Sequence, residues 1–184
     1  LPIVSLSTSK KINSYSALGD SIAYGYGLSD MDSQSYASLV SKHYNVSSQN
    51  YQNLAVSGMT CKEFYTAIKQ SNYTNAISKA DLITISIGSN ELLELVIGVA
   101  SETTGISADN NPNFVQDVQT YIANLTMLKK LQLLQQFYKN LTSETTRAKI
   151  EQAISEYNDY WLRSVEYIKS KNPQAVIVAT EFYN

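Results

Sequence analysis

Ser21 stands where an apolar run breaks into a tight turn, in the stretch YSALGDSIAYGYG from Tyr15 to Gly27. A serine at the end of a buried-strand pattern is one way to hold a single hydroxyl out at the edge of a sheet. Such a hydroxyl becomes a nucleophile only when a base removes its proton. The oxyanion formed when it attacks a carbonyl needs donors aimed in advance, each worth about 3 kcal/mol. Two further segments offer them. NLAVSG ends on Gly58, where the lack of a Cβ lets the backbone amide approach a substrate closely, and ISIGSNE presents the side-chain NH2 of Asn90. With the Ser21 amide at a helix start, these make three candidate donors. Asp20, beside the serine, is expected to bond the backbone at the turn, as aspartate commonly does, rather than to act as the acid of a triad.

The elements that must hold these residues are legible in outline. Tyr15–Leu18 reads as a short buried strand. Ser35–Tyr44 has Tyr36, Leu39, Val40 and His43 on one face of an expected helix. Asn50–Val56 reads as a second strand, and Thr60 with Glu63 forms the capping-box pattern of a helix running to about Gln70. DLITISI at Asp81–Ile87 is an almost unbroken β-branched run, which suits a parallel sheet covered on both faces. One helix is expected after Asn111-Pro112-Asn113, through about Tyr138, and another from near Ser143, with Thr142 or Ser143 as cap, to Lys171, stopped by Asn172-Pro173. AVIVAT at Ala175–Thr180 is a further strand. This alternation predicts a single α/β domain with a mostly parallel sheet. In open sheets of that kind ligands gather at the carboxyl ends of the strands, where Ser21, Gly58 and Asn90 fall.

In their order and context the three segments resemble the conserved blocks of the GDSL or SGNH hydrolases. ALGDSIAYGYG resembles the first block, with Ser21 in the nucleophile's place, NLAVSGMT the second, and ISIGSNELL the third. The resemblance covers Tyr15 to about Leu93, and Asp159–Asn184 by pattern only. It implies a three-layer α/β/α sandwich of flavodoxin-like type and serine-dependent ester hydrolysis, as in a lipase or esterase. It assigns Ser21, Gly58 and Asn90 to an oxyanion hole, and Asp20, Asn53 and Glu91 to supporting positions around it. Glu91 departs from the aspartate usual there. The family's fourth block, Asp-x-x-His, has no match, and His43, the sole histidine, precedes the second strand. The resemblance therefore implies a domain over 1–184 that is incomplete at its C-terminus, lacking the last strand, the last helix and the base. The segment 91–142 is expected to be a helical insertion, either a lid over an acyl chain or helices packed at the sheet edge. The rival function is a non-catalytic lipid- or glycan-binding module, or a degenerate hydrolase.

Composition narrows the partners. The chain has 184 residues, 43% of them hydrophobic and 16% charged, with a net charge of -2. That size lets a single domain bury about two-thirds of its unfolded surface. A pI near 5.4 offers no basic field for nucleic acid, and no apolar run reaches the ~18 residues of a membrane span. One cysteine and one histidine leave no thiolate cluster or disulfide framework and disfavour a metal site. No metal or cofactor is expected. The expected partner is a small-molecule, lipid or glycan ester. If the neighbouring strand is missing, the Ala175–Thr180 edge would pair with a C-terminal fragment or a second copy. The leading LPIVSLSTSKK lacks a signal-peptide layout. With Leu at position 1, this fits a processed chain, secreted or extracellular, with a cytoplasmic one as the alternative.

Overall fold

The computed structural model describes residues 11–180. The leading segment read for a signal peptide and the final four residues, where the family pattern would continue, lie outside the described residues. The chain divides into two compact units, residues 1–88 with 160–184, and residues 89–159.

The first unit is built on a four-stranded sheet of β1 (Tyr15–Gly19), β2 (Tyr51–Asn53), β3 (Leu82–Ser86) and β4 (Val176–Ala179), in the order β2-β1-β3-β4. Every pairing is parallel. Parallel neighbours need crossovers, and here helices supply them. Chain order between β1 and β2 gives α1 (Ser21–Tyr24), α2 (Met31–Gln34) and α3 (Tyr36–His43). Between β2 and β3 come α4 (Cys61–Ala67) and α5 (Ser71–Lys79).

Strand alternation sorts the side chains into two layers. Tyr15, Ala17 and Leu82 pack with Ile12 and Ala37, against which Tyr36, Val40, Val46, Tyr51, Val176 and Val178 also pack. Ser16 points the other way, donating from its hydroxyl to the Ala76 carbonyl of α5 at 3.3 Å. On that side Leu18, Ile83, Ile85, Phe64, Ile68, Ile77 and Ile168 are all at 0–1% exposure. Each such burial is worth about 1.5–3 kcal/mol. The result is three layers, helix on sheet on helix, as expected from the sequence.

Local departures have physical causes. α3 buries Ala37, Ser38 and Ser41, while Leu39 and His43 are exposed. The helix thus meets the sheet through these small side chains together with Tyr36 and Val40 of the expected face, while the other two residues of that face, Leu39 and His43, turn to solvent. The regular part of β2 is shorter than the expected Asn50–Val56, yet its pairing extends further. Tyr15 N donates to Asn50 O, Leu54 N to Ala17 O and Val56 N to Gly19 O, all at 2.9 Å. The capping box of α4 is present as expected, with Thr60 Oγ1 accepting from Glu63 N and Glu63 Oε2 from Thr60 N. That helix ends at Ala67, and the separate α5 follows it.

The second unit, residues 89–159, is helical. It contains α6 (Ser89–Thr104), α7 (Phe114–Ala123), α8 (Met127–Leu141) and the first part of α9 (Glu144–Lys171). The single helix expected between Asn113 and about Tyr138 is two. Thr126 breaks it by capping α8, its hydroxyl accepting from Lys129 N at 3.4 Å. α6 is tied to α8 by Asn140 Nδ2 donating to Thr103 Oγ1 at 3.1 Å. No helix among the described residues is long and apolar enough to cross a membrane.

The last part of α9 belongs to the first unit. Tyr167 bonds Thr74 of α5 at 3.1 Å. Just past the helix, Asn172 Nδ2 donates to both Ile77 O and Ala80 O at 2.8 Å. This clasp fixes where β4 begins beside β3.

Candidate active site

Ser21 is delivered by a backbone that leaves β1 under tight constraint. Gly19, the last residue of β1, has φ +130°, and a Cβ built on it would lie 1.8 Å from the Ser86 carbonyl oxygen. Only glycine fits there. The next amide, Asp20 N, donates to that same oxygen at 2.8 Å. Asp20 then turns extended and caps α1, its buried carboxylate accepting from Ile22 N at 3.0 Å. Ser86 Oγ reaches the same carboxylate oxygen at 3.5 Å. Asp20 thus bonds the turn, in the manner the sequence predicts.

The consequence is a serine on a fixed platform. Ser21 opens the single turn of α1, and its carbonyl accepts from Gly25 N at 3.0 Å and Tyr26 N at 2.9 Å. Its side chain is half-buried, and its hydroxyl has no hydrogen-bond partner among the described residues. Asn53 braces the platform from β2. Its Nδ2 donates to Ala23 O of α1 at 2.8 Å and its Oδ1 accepts from Ala55 N at 3.1 Å. One side chain therefore holds the serine turn and the second segment together.

That second segment ends in a turn closed by Met59 N donating to Val56 O at 3.2 Å. Gly58 is the third residue of this turn, at φ +84°, where a side chain would strain the backbone. It is exposed, with no atom within 4 Å of where a Cβ would stand, so a ligand can come close to this backbone.

Asn90 lies in the first turn of α6, two residues beyond Gly88, and belongs to the second unit. Its side chain is buried, and Glu91 beside it is half-buried. The structure therefore brings Asp20, Ser21, Asn53 and Gly58 into one unit. Asn90 and Glu91 are tied to them by following β3 in the chain.

His43 falls elsewhere. A helix between parallel neighbours runs back from the carboxyl end of one strand toward the amino end of the next. His43 is the last residue of α3, on the way to β2, so it sits toward the amino end of the sheet, away from Ser21. It is exposed, its ring edge-on to Tyr44 at 5.0 Å.

The sequence did not single out the surroundings of the serine turn. Beside α1 lies a hollow of about 370 Å³ lined by Tyr24, Met31, Asp32, Ser38, Tyr51 and Asn53. Near it are two hydroxyl contacts: Tyr15 OH and Thr84 Oγ1, buried and 2.7 Å apart, and Ser38 Oγ and Tyr51 OH, part-buried and 3.4 Å apart. Burial pushes the Tyr15 phenol far above its ordinary value and raises Tyr36 as well. Both stay protonated at neutral pH. The only sequence signal for this hollow was the density of tyrosines in Tyr15–Tyr51.

Among proteins with curated descriptions none matches this chain. Two solved structures resemble it at 21% identity. One is an extracellular lipase from Streptomyces rimosus, with a TM-score of 0.42, covering 91% of this chain. The other is the lipase Lip_vut3 from a goat rumen metagenome, with a TM-score of 0.38, covering 89% of this chain and 79% of its own. The chain spans only 58% of the length of the Streptomyces enzyme. The GDSL-like lipase/acylhydrolase family model matches residues 15–184, nearly the whole chain, and the match includes the serine turn, the Gly58 turn and the segment of Asn90. The chain belongs to the GDSL-like lipase/acylhydrolase family.

Proposed function

We propose that this chain carries the nucleophile half of a serine ester hydrolase. Ser21 Oγ attacks the ester carbonyl carbon, its proton passes to a base, and collapse of the tetrahedral adduct releases the alcohol and leaves an acyl-serine. Water then releases the acid. In this reading the Ser21 and Gly58 amides and the Asn90 carboxamide donate to the oxyanion, while Asp20 and Asn53 hold the turn and Glu91 supports Asn90. No metal or cofactor takes part. The observation that carries the reading is the Ser21 hydroxyl, presented without a partner on a turn whose backbone is pinned to β3.

The base is the missing part. His43 lies toward the wrong end of the sheet, so we place the base outside these 184 residues, in a further segment or a second chain. Among the described residues β4 is the outermost strand on its side of the sheet. Its outer edge is where a C-terminal segment or a second copy would pair. A small-molecule, lipid or glycan ester is the substrate class in this reading, met outside the cell. A second reading is a binding module that keeps the cleft without turnover, since among the described residues His43, the sole histidine, is carried by the end of α3 rather than by the serine turn.

Intact-mass measurement after treatment with a fluorophosphonate probe separates the two. The hydrolase reading expects one adduct on the protein and none on Ser21→Ala. An unlabelled serine in a folded protein that includes the further segment sinks it in favour of binding. Without its base, any residual turnover is expected to lie orders of magnitude below an intact triad.

A further inference from the structure

The helical unit contains a hollow of its own, of about 340 Å³, between α6, α7 and α8, half open to solvent where Ile122 and Leu134 of its wall are exposed. Ala100, Val118, Ile122, Leu133 and Phe137 make it apolar, and Lys130 stands on its wall. Its size falls within the range of about 300–1,000 Å³ typical of small-molecule sites. The polar groups around it differ in how far they are committed. Thr103 Oγ1 donates to Val99 O at 2.7 Å and accepts from Asn140, and Thr104 Oγ1 donates to Ala100 O at 2.7 Å and accepts from Ile106 N. Both threonines are occupied in holding the backbone of α6.

Lys130 is not so occupied. It is half-buried, and its one hydrogen bond among the described residues is a long one, 3.4 Å, to the Ala123 carbonyl at the end of α7. An ammonium has three donors and no acceptor, so its other N–H groups are open to water or to a ligand, and no carboxylate pairs with it among the described residues. A cation beside an apolar cavity is best satisfied by a ligand with an anionic head and an apolar body. Nothing else in the lining is left over to recognise hydroxyls, amides or a positive charge.

We propose that this cavity binds the anion of a single-chain fatty acid, its carboxylate on Lys130 Nζ and its hydrocarbon among Val118, Ile122, Leu133 and Phe137. The site shares no residue with the serine turn and does not depend on turnover. Its occupant belongs to the chemical class that hydrolysis of an acyl ester would release.

The test is calorimetric titration of the Ser21→Ala protein, which removes turnover, with hexanoate, octanoate and decanoate below their micelle concentrations. Saturable 1:1 binding is expected, tightening roughly fourfold per added methylene until the cavity is full. Lys130→Gln should weaken decanoate on the order of tenfold and leave decanol, the neutral control, unchanged. Ala100→Phe should fill the cavity and abolish binding of both while the melting temperature is kept. No saturable binding, equal affinity for decanoate and decanol, or binding that survives Ala100→Phe would each overturn the proposal. Because labelling of Ser21 plays no part in these readouts, a failed hydrolase reading leaves them intact, and their failure leaves the hydrolase reading intact.

Discussion

In the sheet unit, β1 and β3 bury all five residues each, whereas α8 in the helical unit runs for fifteen residues and buries none. The contrast extends to side chains of similar type. Leu18 and Ile83 are at 0% exposure, while Leu134 is at 64% and Leu128 at 67%. The sheet is assembled from strands far apart in sequence, so each residue of β1 and β3 faces neighbours on both sides. The helices of residues 89–159 follow one another along the chain and share a thin apolar seam with room left inside it. At Gly19 the sheet is packed so closely that a single added carbon is excluded, whereas the helices leave a hollow of about 340 Å³ between α6, α7 and α8. Regions with few buried apolar contacts are the ones expected to open most easily, so the helical unit should be the less stable of the two.

Two glycines sharpen the comparison, and buried phenols supply a third test between them in size. Gly19→Ala puts a Cβ against the Ser86 carbonyl, backbone against backbone, with no flexible side chain to yield. It is expected to cost about 4 kcal/mol or more, read by chemical denaturation. A loss below about 1 kcal/mol would show that the end of β1 has slack. Next in size is alkaline sensitivity. Tyr15, Tyr36 and Tyr73, all in the sheet unit, are raised above the ordinary 10.0, in each case chiefly by burial. A raised folded-state value means that the folded protein binds the proton more tightly than the unfolded chain. The stability this confers is therefore complete below pH 10 and is lost as pH climbs through the folded-state values. Denaturation midpoints should fall by an amount equivalent to about 2 kcal/mol between pH 10 and 12, and Tyr15→Phe should flatten that fall. A midpoint indifferent to pH over this interval would place these phenols in water. Smallest is Gly98→Ala in α6, where nothing lies within 4 Å of the new methyl. It should stabilise by about 0.5–1 kcal/mol, measured as a rise in the melting midpoint. A destabilising outcome would mean that the helical unit is packed as tightly as the sheet.

What could be read from the sequence follows the same divide. β1, β3 and β4 declare themselves through apolar runs, because strands covered on both faces need no alternation. The capping box at Thr60 and Glu63 is local chemistry and was legible for that reason. α5 escaped because SNYTNAISK is mostly polar and carries its buried face on only Tyr73, Ala76 and Ile77. The split between α7 and α8 escaped because the apolar spacing runs on across Asn124–Thr126, and only the Thr126 cap marks it. Leu39 misled because the burial of α3 depends on how close the sheet lies, which no helical period encodes. Of the candidate site residues, Ser21, Gly58 and Asn90 stand out in the sequence as residue types following strands. That Gly19 must be glycine was not legible there, since the obstacle is a carbonyl on another strand. Nor was the bracing of α1 by Asn53, a hydrogen bond spanning 30 residues.

The clasp of Asn172 on Ile77 and Ala80 has a consequence for how the protein is made. Asn172 and Ile77 are 95 residues apart. At a ribosome, that length of chain takes roughly 5–20 seconds to synthesise. For most of that interval β3 has been made and its partner β4 has not. The helical segment is translated within this pause, so one side of the nascent sheet must wait, exposed, while the helices appear. Chaperone demand should therefore concentrate on this interval. Lengthening or shortening the segment between β3 and β4 would change the wait in proportion, while altering the closure entropy of the finished sheet only logarithmically.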